Sequence, residues 1–127
     1  MKPIILASGS PRRKQLLEEM GLTFEIVKSP FVEEFDHEHF SYQEIERLAF
    51  GKSRAVADMR NDDVLVIGAD TVVVLNDKVL GKPKDFDEAN LMLKMLSNKK
   101  HFVVTSICVI DAFSGDTSIN STTSYVE

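Results

Sequence analysis

The chain has 127 residues, of which 43% are hydrophobic and 28% are charged, as is typical of a soluble globular protein of one domain. Its 15 basic and 20 acidic residues give a net charge of −5, which argues against the broad basic surface that binds nucleic acid. No apolar run is long enough to span a membrane, and the amino terminus lacks a signal peptide's apolar core. We therefore expect neither nucleic acid nor a membrane among the partners.

The chain has a single cysteine, Cys108, which excludes an internal disulfide. This usage fits the reducing cytoplasm, where we expect the protein to act. Because Cys108 lies in an apolar, β-like run, a buried and unreactive thiol is favoured over a reactive one.

The first 21 residues predict a strand, a turn and a helix. Residues 3–7 are apolar and predict a buried strand, and the turn follows at positions 8–9. Ser10 is a good N-cap, and Pro11 suits the first helical position. Gly21 stands where this helix would end.

The first turn of this helix carries three cations, Arg12, Arg13 and Lys14. The helix dipole already places partial positive charge there, so a sequence selected for stability alone would favour Asp or Glu. Together with exposed amides and the hydroxyls of Ser8 and Ser10, these cations indicate an anion site, most simply for phosphate. The alternative is a basic helix start whose charges extend into water.

An acidic loop follows the second predicted strand. Residues 23–27 are rich in β-formers and predict this strand, and residues 29–40 form the loop. Its carboxylates suit a hard cation, and Glu33 is the better candidate because Mg²⁺ prefers oxygen ligands. His37 and His39 could also bind a metal, but solvated imidazoles are the simpler interpretation on so acidic a loop.

The second helix is predicted to begin at Ser41, where Glu44 completes a capping-box pattern. Lys52 lies on its apolar face, where a lysine either extends its amine outward or points into a ligand pocket. Gly51 weakens the helix by about 1 kcal/mol relative to Ala and lets another backbone approach, which favours the pocket. The predicted apolar positions are Ile45, Leu48, Ala49, Ala55, Val56 and Met59.

Residues 64–69 are an apolar run without alternation, typical of a strand covered on both faces in a parallel or mixed sheet with helices over it. Asp70 stands at the carboxyl end of this run, where ligands gather in α/β sheets. The alternative for Asp70 is a turn carboxylate or a helix cap.

A hairpin follows, with arms at residues 71–75 and 78–82 joined by a two-residue turn. This register pairs Thr71 with Lys82 and so places Lys82 beside Asp70. The two side chains then form either a structural salt bridge or a catalytic pair of a base and a phosphate-binding cation.

The last third of the chain predicts a helix and two strands. Asp85 with Glu88 begins the helix, whose predicted buried face is Ala89, Met92, Leu93 and Leu96. Residues 101–111 are β-like, and residues 117–127 alternate β-branched residues with Ser and Thr. That strand leaves a sheet edge exposed, which a homodimer, a domain swap or a partner chain could cover.

Taken together, these motifs closely resemble the Maf family of nucleoside triphosphate pyrophosphatases, in unbroken order from residue 3 to about residue 110. The motifs are LASGSPRR (6–13), the acidic loop with Glu33, Lys52 in its helix, GADTVV (68–73) and LGKP (80–83). The resemblance implies an α/β fold related to the inosine triphosphate pyrophosphatases, with a mixed, largely buried sheet flanked by helices and a cleft between two lobes. It also implies one Maf-like domain over residues 1–127 that lacks the family's C-terminal third.

By match to the family's motifs, Asp70 would be the proton acceptor that activates water. Glu33 and Asp70 would lie near the cofactor, Mg²⁺ or another divalent cation such as Mn²⁺. The residues that would hold the phosphates are Ser8, Arg12, Lys52 and Lys82.

The resemblance also bears on the substrate, a nucleoside triphosphate. Thr71 after Asp70, together with Arg13, looks like the branch that prefers dTTP and UTP over the branch acting on 7-methyl-GTP. Ser106 departs from the family, which usually has Gly there. The alternatives are a non-catalytic nucleotide-binding remnant of a Maf protein and an inosine or xanthosine triphosphatase.

Overall fold

A computed structural model describes residues 2–32, 34, 38–60, 62–80, 85–97 and 99–126. Within these residues the chain forms six strands and three helices. In chain order they are β1 (Ile4–Leu6), α1 (Pro11–Glu19), β2 (Phe24–Ile26), α2 (Tyr42–Ala57), β3 (Leu65–Leu75), β4 (Lys78–Leu80), α3 (Phe86–Leu96), β5 (His101–Asp111) and β6 (Thr117–Val126). None of the helices in this described part is long and apolar enough to cross a membrane.

The strands form one mixed sheet in the order β2-β1-β3-β5-β6, and β4 pairs with β3 off this path. β1 runs parallel to both β2 and β3. The pairs β3–β4, β3–β5 and β5–β6 are antiparallel. The predicted α/β class with a mixed sheet is therefore confirmed, and β6 lies at one edge.

β3 is longer than predicted, because residues 64–69 and the first hairpin arm at 71–75 belong largely to one continuous strand. Asp70 therefore lies in the middle of a strand, and its predicted position at a carboxyl end is wrong. No turn interrupts the run, since β5 pairs with β3 on both sides of this carboxylate. The predicted cover is confirmed on the face that packs on α2 and is only partial on the other face, where Ala69 is buried but Leu65 and Ile67 stay partly exposed.

The core forms where α2 packs on β3 and β5. The predicted apolar face is largely confirmed, but Met59 is 61% exposed because α2 ends two residues earlier. Ser53, which was not predicted, is buried and its hydroxyl donates a hydrogen bond of 2.9 Å to the carbonyl of Cys108. The buried residues of α2 are Ile45, Leu48, Ala49, Ser53, Val56 and Ala57.

Gly51 of α2 accommodates an aromatic ring. A Cβ at this position would lie 2.3 Å from Cε2 of Phe31. The prediction that another backbone approaches Gly51 is therefore wrong in the identity of the neighbour, which is a side chain from the loop after β2.

Two helix starts agree with the sequence. The Ser10 hydroxyl accepts a hydrogen bond of 3.4 Å from the backbone amide of Arg13. The Asp85 carboxylate accepts one of 2.8 Å from the amide of Glu88. Gly21, at φ 78°, follows the end of α1 in the left-handed conformation that favours glycine.

Helix α2 has its N-cap at Ser41 as predicted, but the predicted side-chain capping hydrogen bonds are wrong. Within the described residues, the hydroxyl of Ser41 makes no capping hydrogen bond, although this residue has extended N-cap geometry. The carboxylate of Glu44 binds the guanidinium of Arg47 on the next turn, at 3.2 and 2.5 Å. This pairing uses the helix surface, where residues three apart are neighbours.

The predicted buried face of α3 is also wrong. No residue of α3 (86–96), all of which the structure describes, is buried, and Leu93 is 68% exposed. The helical period is correct, but α2 is the helix that packs extensively on the sheet. An apolar stripe is buried only where a second surface lies against it.

The β3–β4 hairpin has the predicted register. Asn76 and Asp77 have φ values of 51° and 67°, as a two-residue type I′ turn requires. The confirmed partners are Val73 with Leu80, Val74 with Val79 and Leu75 with Lys78. Lys82 lies outside the described residues, so its pairing with Thr71 stays a prediction.

Cys108 is fully buried in the core beneath α2, as predicted. Burial raises the pKa of its thiol, which lowers the fraction of reactive thiolate. We expect a thiol reagent to modify the native protein at least about 10³-fold more slowly than the protein in denaturant, because access requires opening of the core. The measurement is labelling rate against urea concentration, and rapid labelling without urea would contradict the buried position.

Candidate functional site

The candidate site lies along residues 68–72 of β3, on the side where the described parts of β1 and β4 pair with this strand; we call this stretch the gap. On this side β1 pairs with residues 65–67 and β4 with residues 73–75. Between them, within the described chain, residues 68–72 have no strand partner on that side. The Ala7 amide donates a hydrogen bond of 2.8 Å to the Ile67 carbonyl, and the turn before α1 follows at once. The end of β1 and the middle of β3 therefore meet at the gap.

Asp70 lies in this gap and is only 7% exposed. Its Oδ1 accepts hydrogen bonds from Nζ of Lys52 at 3.3 Å and from the backbone amide of Thr71 at 3.0 Å. The Lys52 amine lies 3.3 Å from the carbonyl of Ala69 as well, and this side chain is 18% exposed. Of the two alternatives for Lys52, the inward orientation is therefore the one observed.

Arg13 joins the turn before α1 to β3. One guanidinium nitrogen, Nη1, donates to the hydroxyl of Ser8 and the other, Nη2, to that of Thr71, both at 3.1 Å. The Ser8 hydroxyl also accepts a hydrogen bond of 3.2 Å from the amide of Ser10. Thr105 of β5 extends this group, with its hydroxyl oxygen 3.0 Å from that of Thr71.

Sequence reasoning missed Thr105. Its position becomes meaningful only through the β3–β5 register, which places it directly opposite Thr71. Those residues are 34 positions apart. A pattern within either strand alone does not reveal which residue faces which.

The site residues lie on both faces of β3. Asp70 faces α2, whereas Thr71 faces the opposite side, because successive side chains of a strand alternate. On that opposite side a cleft of about 580 Å³ opens between α1 and the sheet. It is lined by Arg12, Arg13, Thr71 and Thr105 together with apolar side chains that include Leu16 and Ile107.

A cation bound at Asp70 would need ligands in addition to the described side chains. The described residues contain no group of three His, Cys, Asp or Glu side chains that could hold a metal by themselves. The carboxylate of Asp70 is present at the gap, and Mg²⁺ in nucleotide sites is commonly held by one or two carboxylates plus substrate phosphates. Glu33, Lys82 and His37 lie outside the described residues, so their predicted roles stay predictions.

Comparison with known proteins gives one family and one fold. A family model described as "Maf-like protein" matches residues 3–127. A dTTP/UTP pyrophosphatase from a Thermoanaerobacter strain is 50% identical over 107 residues, which cover 84% of this chain and 56% of that protein. One from Desulforamulus reducens is 51% identical over 115 residues, covering 91% and 60%. The chain thus spans less than two thirds of the length of these relatives.

Among solved structures, a nucleoside triphosphatase described as a dITP/XTP pyrophosphatase from Mycobacterium abscessus has a TM-score of 0.60. The two sequences are 17% identical, and the match covers 97% of this chain and 72% of the Mycobacterium abscessus chain. At this identity the likeness concerns the fold, and it confirms the predicted relation to the inosine triphosphate pyrophosphatase fold. From the family match and the relatives at about 50% identity, it follows that the chain belongs to the Maf-like protein family.

Proposed function

We propose that this protein hydrolyses a nucleoside triphosphate to the monophosphate and pyrophosphate, with Asp70 as the general base. The observation that carries the proposal is the buried Asp70 carboxylate, which Lys52 orients and which precedes Thr71, the residue that Arg13 links to Ser8. A protein that only binds polyphosphate has no need of a carboxylate at this position, because the two would repel each other. A base that takes a proton from water does need one.

Other residues of the site bind the phosphates and neutralise charge in this proposal. The positive end of α1, the hydroxyl of Ser8 and the guanidinium of Arg12 bind the phosphates. Water attacks the α-phosphorus and gives its proton to the carboxylate, while the surrounding cations neutralise the charge that develops on the leaving pyrophosphate. Lys52 and Lys82 supply part of that positive charge in this proposal.

A divalent cation, Mg²⁺ or Mn²⁺, would be held by Asp70 and Glu33 together with phosphate oxygens. When bound, it would supply charge neutralisation on the reacting phosphate. The single carboxylate at the described gap supports this arrangement, because substrate oxygens are then needed to complete the ligand set.

For the substrate we infer dTTP or UTP. Both relatives cited above carry this preference in their names. The Arg13–Thr71 contact lies in the wall of the cleft between α1 and the sheet, where it can contact the nucleoside. We also propose a cytoplasmic location, because the single cysteine fits a reducing compartment. A homodimer that covers the edge of the sheet at β6 is a further part of the proposal.

The test of the proposed function is pyrophosphate release from dTTP, UTP, CTP, GTP, ITP and 7-methyl-GTP, each with and without Mg²⁺. We expect metal-dependent release that is fastest with dTTP and UTP. Triphosphate binding without release from any of the six would contradict the enzyme and favour a non-catalytic nucleotide-binding protein.

Arg12 lines the cleft beside the turn before α1, and its replacement should weaken the binding of all triphosphates alike. A hydrogen bond to a charged group is worth about 1.5–3 kcal/mol, so Arg12→Ala should raise the dissociation constant roughly 10- to 150-fold. Isothermal titration with the non-hydrolysable α,β-methylene analogue of each triphosphate measures this effect. Arg54→Ala, which removes an exposed arginine paired with Asp58, is the control and should bind normally. A loss restricted to one base would contradict a phosphate-binding role.

A further inference from the structure

A chain of hydrogen bonds runs along the wall of the cleft between α1 and the sheet. It begins at the guanidinium of Arg13, whose Nη2 donates a hydrogen bond of 3.1 Å to the hydroxyl of Thr71. The next step joins Thr71 to Thr105, whose hydroxyl oxygens lie 3.0 Å apart. These threonines are direct partners on β3 and β5, so the register of the sheet holds the two hydroxyls together.

The guanidinium gives this chain a direction. It can only donate, so the Thr71 hydroxyl must accept at the first step. A hydroxyl that accepts from a charged donor becomes a stronger donor in turn, because successive hydrogen bonds polarise one another. Thr71 then donates to Thr105, and the proton of the Thr105 hydroxyl is left for a partner beyond the two threonines. Thr105 is therefore the donor at the end of the chain.

The cleft into which this chain leads has the size and lining of a small-molecule site. Both threonines line it, and its volume of about 580 Å³ falls in the usual range of ligand pockets. Its apolar side chains include Leu16, Met20 and Ile107, which are 49%, 71% and 45% exposed. Apolar walls with a few directed polar groups fit a flat, partly apolar ring such as a nucleobase.

The charged groups of the cleft wall are donors as well. Arg12 and Arg13 line the cleft, and a guanidinium carries five N–H donors and no acceptor. A carbonyl oxygen of a base would find complementary partners on such a wall, whereas an amino group would face other donors. Uracil and thymine carry a carbonyl oxygen at position 4 of the ring, where cytosine carries an amino group. The wall therefore favours uracil and thymine.

We propose that Thr105 is a specificity-determining residue that donates a hydrogen bond to the carbonyl oxygen at position 4 of uracil or thymine. The proposal rests on the proposed function, because it places the base of dTTP or UTP in this cleft. With cytosine, the Thr105 hydroxyl and the amino group would both lose hydrogen bonds to water without gaining one from each other. Such unpaired polar groups are the physical basis of discrimination.

Three variants isolate the contribution of the Thr105 hydroxyl. Thr105→Val removes the hydroxyl with little change in volume, and Thr105→Ser retains it. Thr122→Val is the matched control, because Thr122 lies opposite Thr105 on β6, is exposed and is not among the described residues that line the cleft. Unfolding in urea is measured for each variant, so that a loss of fold is not mistaken for a loss of binding.

The main readout is the binding of the non-hydrolysable α,β-methylene analogues of UTP and CTP, measured by isothermal titration. The natural chain should bind the UTP analogue more tightly. Thr105→Val should raise the dissociation constant of the UTP analogue roughly 3- to 10-fold, the usual effect of one neutral hydrogen bond, and leave that of the CTP analogue unchanged. Thr105→Ser and Thr122→Val should keep the natural ratio. A residue that only supported the fold would weaken both analogues equally.

Three results would overturn this role of Thr105: no binding or equal binding of the two analogues by the natural chain, an equal loss for both in Thr105→Val, or no loss for either. Because binding is measured without turnover, this role and the proposed function are tested separately. A chain that releases no pyrophosphate, but whose preference for the UTP analogue falls in Thr105→Val, would support the role and contradict the enzyme. A chain that hydrolyses UTP, with an unchanged preference in Thr105→Val, would do the reverse.

Discussion

Asp70→Asn should reduce pyrophosphate release about 10²- to 10⁴-fold, the usual contribution of a general base. The amide keeps the size of the carboxylate and can still accept the hydrogen bond of 3.0 Å from the amide of Thr71. It cannot take a proton from water, so the loss should appear in kcat. Binding of the triphosphate should be largely retained, because the groups proposed to bind the phosphates are unchanged.

The measurement is steady-state release of pyrophosphate from dTTP at saturating Mg²⁺. Binding of the non-hydrolysable α,β-methylene analogue of dTTP is measured in parallel. Asp58→Asn is the control, because this exposed carboxylate lies at the C-cap of α2 and pairs with Arg54. Unchanged turnover in Asp70→Asn would contradict the assignment of the base. A loss of binding as large as the loss of turnover would mean that Asp70 acts in holding the substrate.

Gly68→Ala should be the most destabilising small substitution in the core. A Cβ at Gly68 would lie 2.3 Å from Oγ and 2.9 Å from the backbone nitrogen of Ser53. The hydroxyl could rotate away only by losing its hydrogen bond to the Cys108 carbonyl, and the backbone nitrogen moves only if α2 shifts. Overpacking of this kind costs about 1–3 kcal/mol and occasionally more.

The measurement for Gly68→Ala is the free energy of unfolding in urea. A thermal melt of the same variant should show a fall in melting temperature of roughly 4 °C for each kcal/mol lost. Gly9→Ala is the matched control, since a Cβ there meets nothing within 4 Å. Adding Ser53→Gly to Gly68→Ala should recover part of the stability, because it removes the nearer contact. Equal stability of the two single alanine variants would contradict the close packing of α2 on β3.

Local features of this fold could be predicted because a few neighbouring residues determine them. Ser10 and Pro11 set the start of α1, and the φ values of Asn76 and Asp77 follow from the two-residue turn. The inward orientation of Lys52 also came from a local pattern, and the anion site at α1 stays a prediction. Each of these depends on a dipeptide, a cap or a helical period.

Features that depend on distant segments could not be predicted. Asp70 was placed at a strand end because the sequence does not show that β5 pairs continuously along β3. The stripe on α3 has the correct period, but period alone does not supply a surface to pack on. Tertiary packing likewise determines three features that local patterns do not show. These are the contact of Thr105 with Thr71, the packing of the Phe31 ring on Gly51 and the absence of a side-chain cap from Ser41.

The most direct test of the account is hydrolysis of dTTP in water labelled with ¹⁸O, with the products examined by ³¹P resonance. Attack on the α-phosphorus by water activated at Asp70 predicts that the label enters thymidine monophosphate and that pyrophosphate stays unlabelled. Both products should form about 10²- to 10⁴-fold more slowly in Asp70→Asn. Label in pyrophosphate or release of inorganic phosphate would place the attack at another phosphorus and contradict the mechanism.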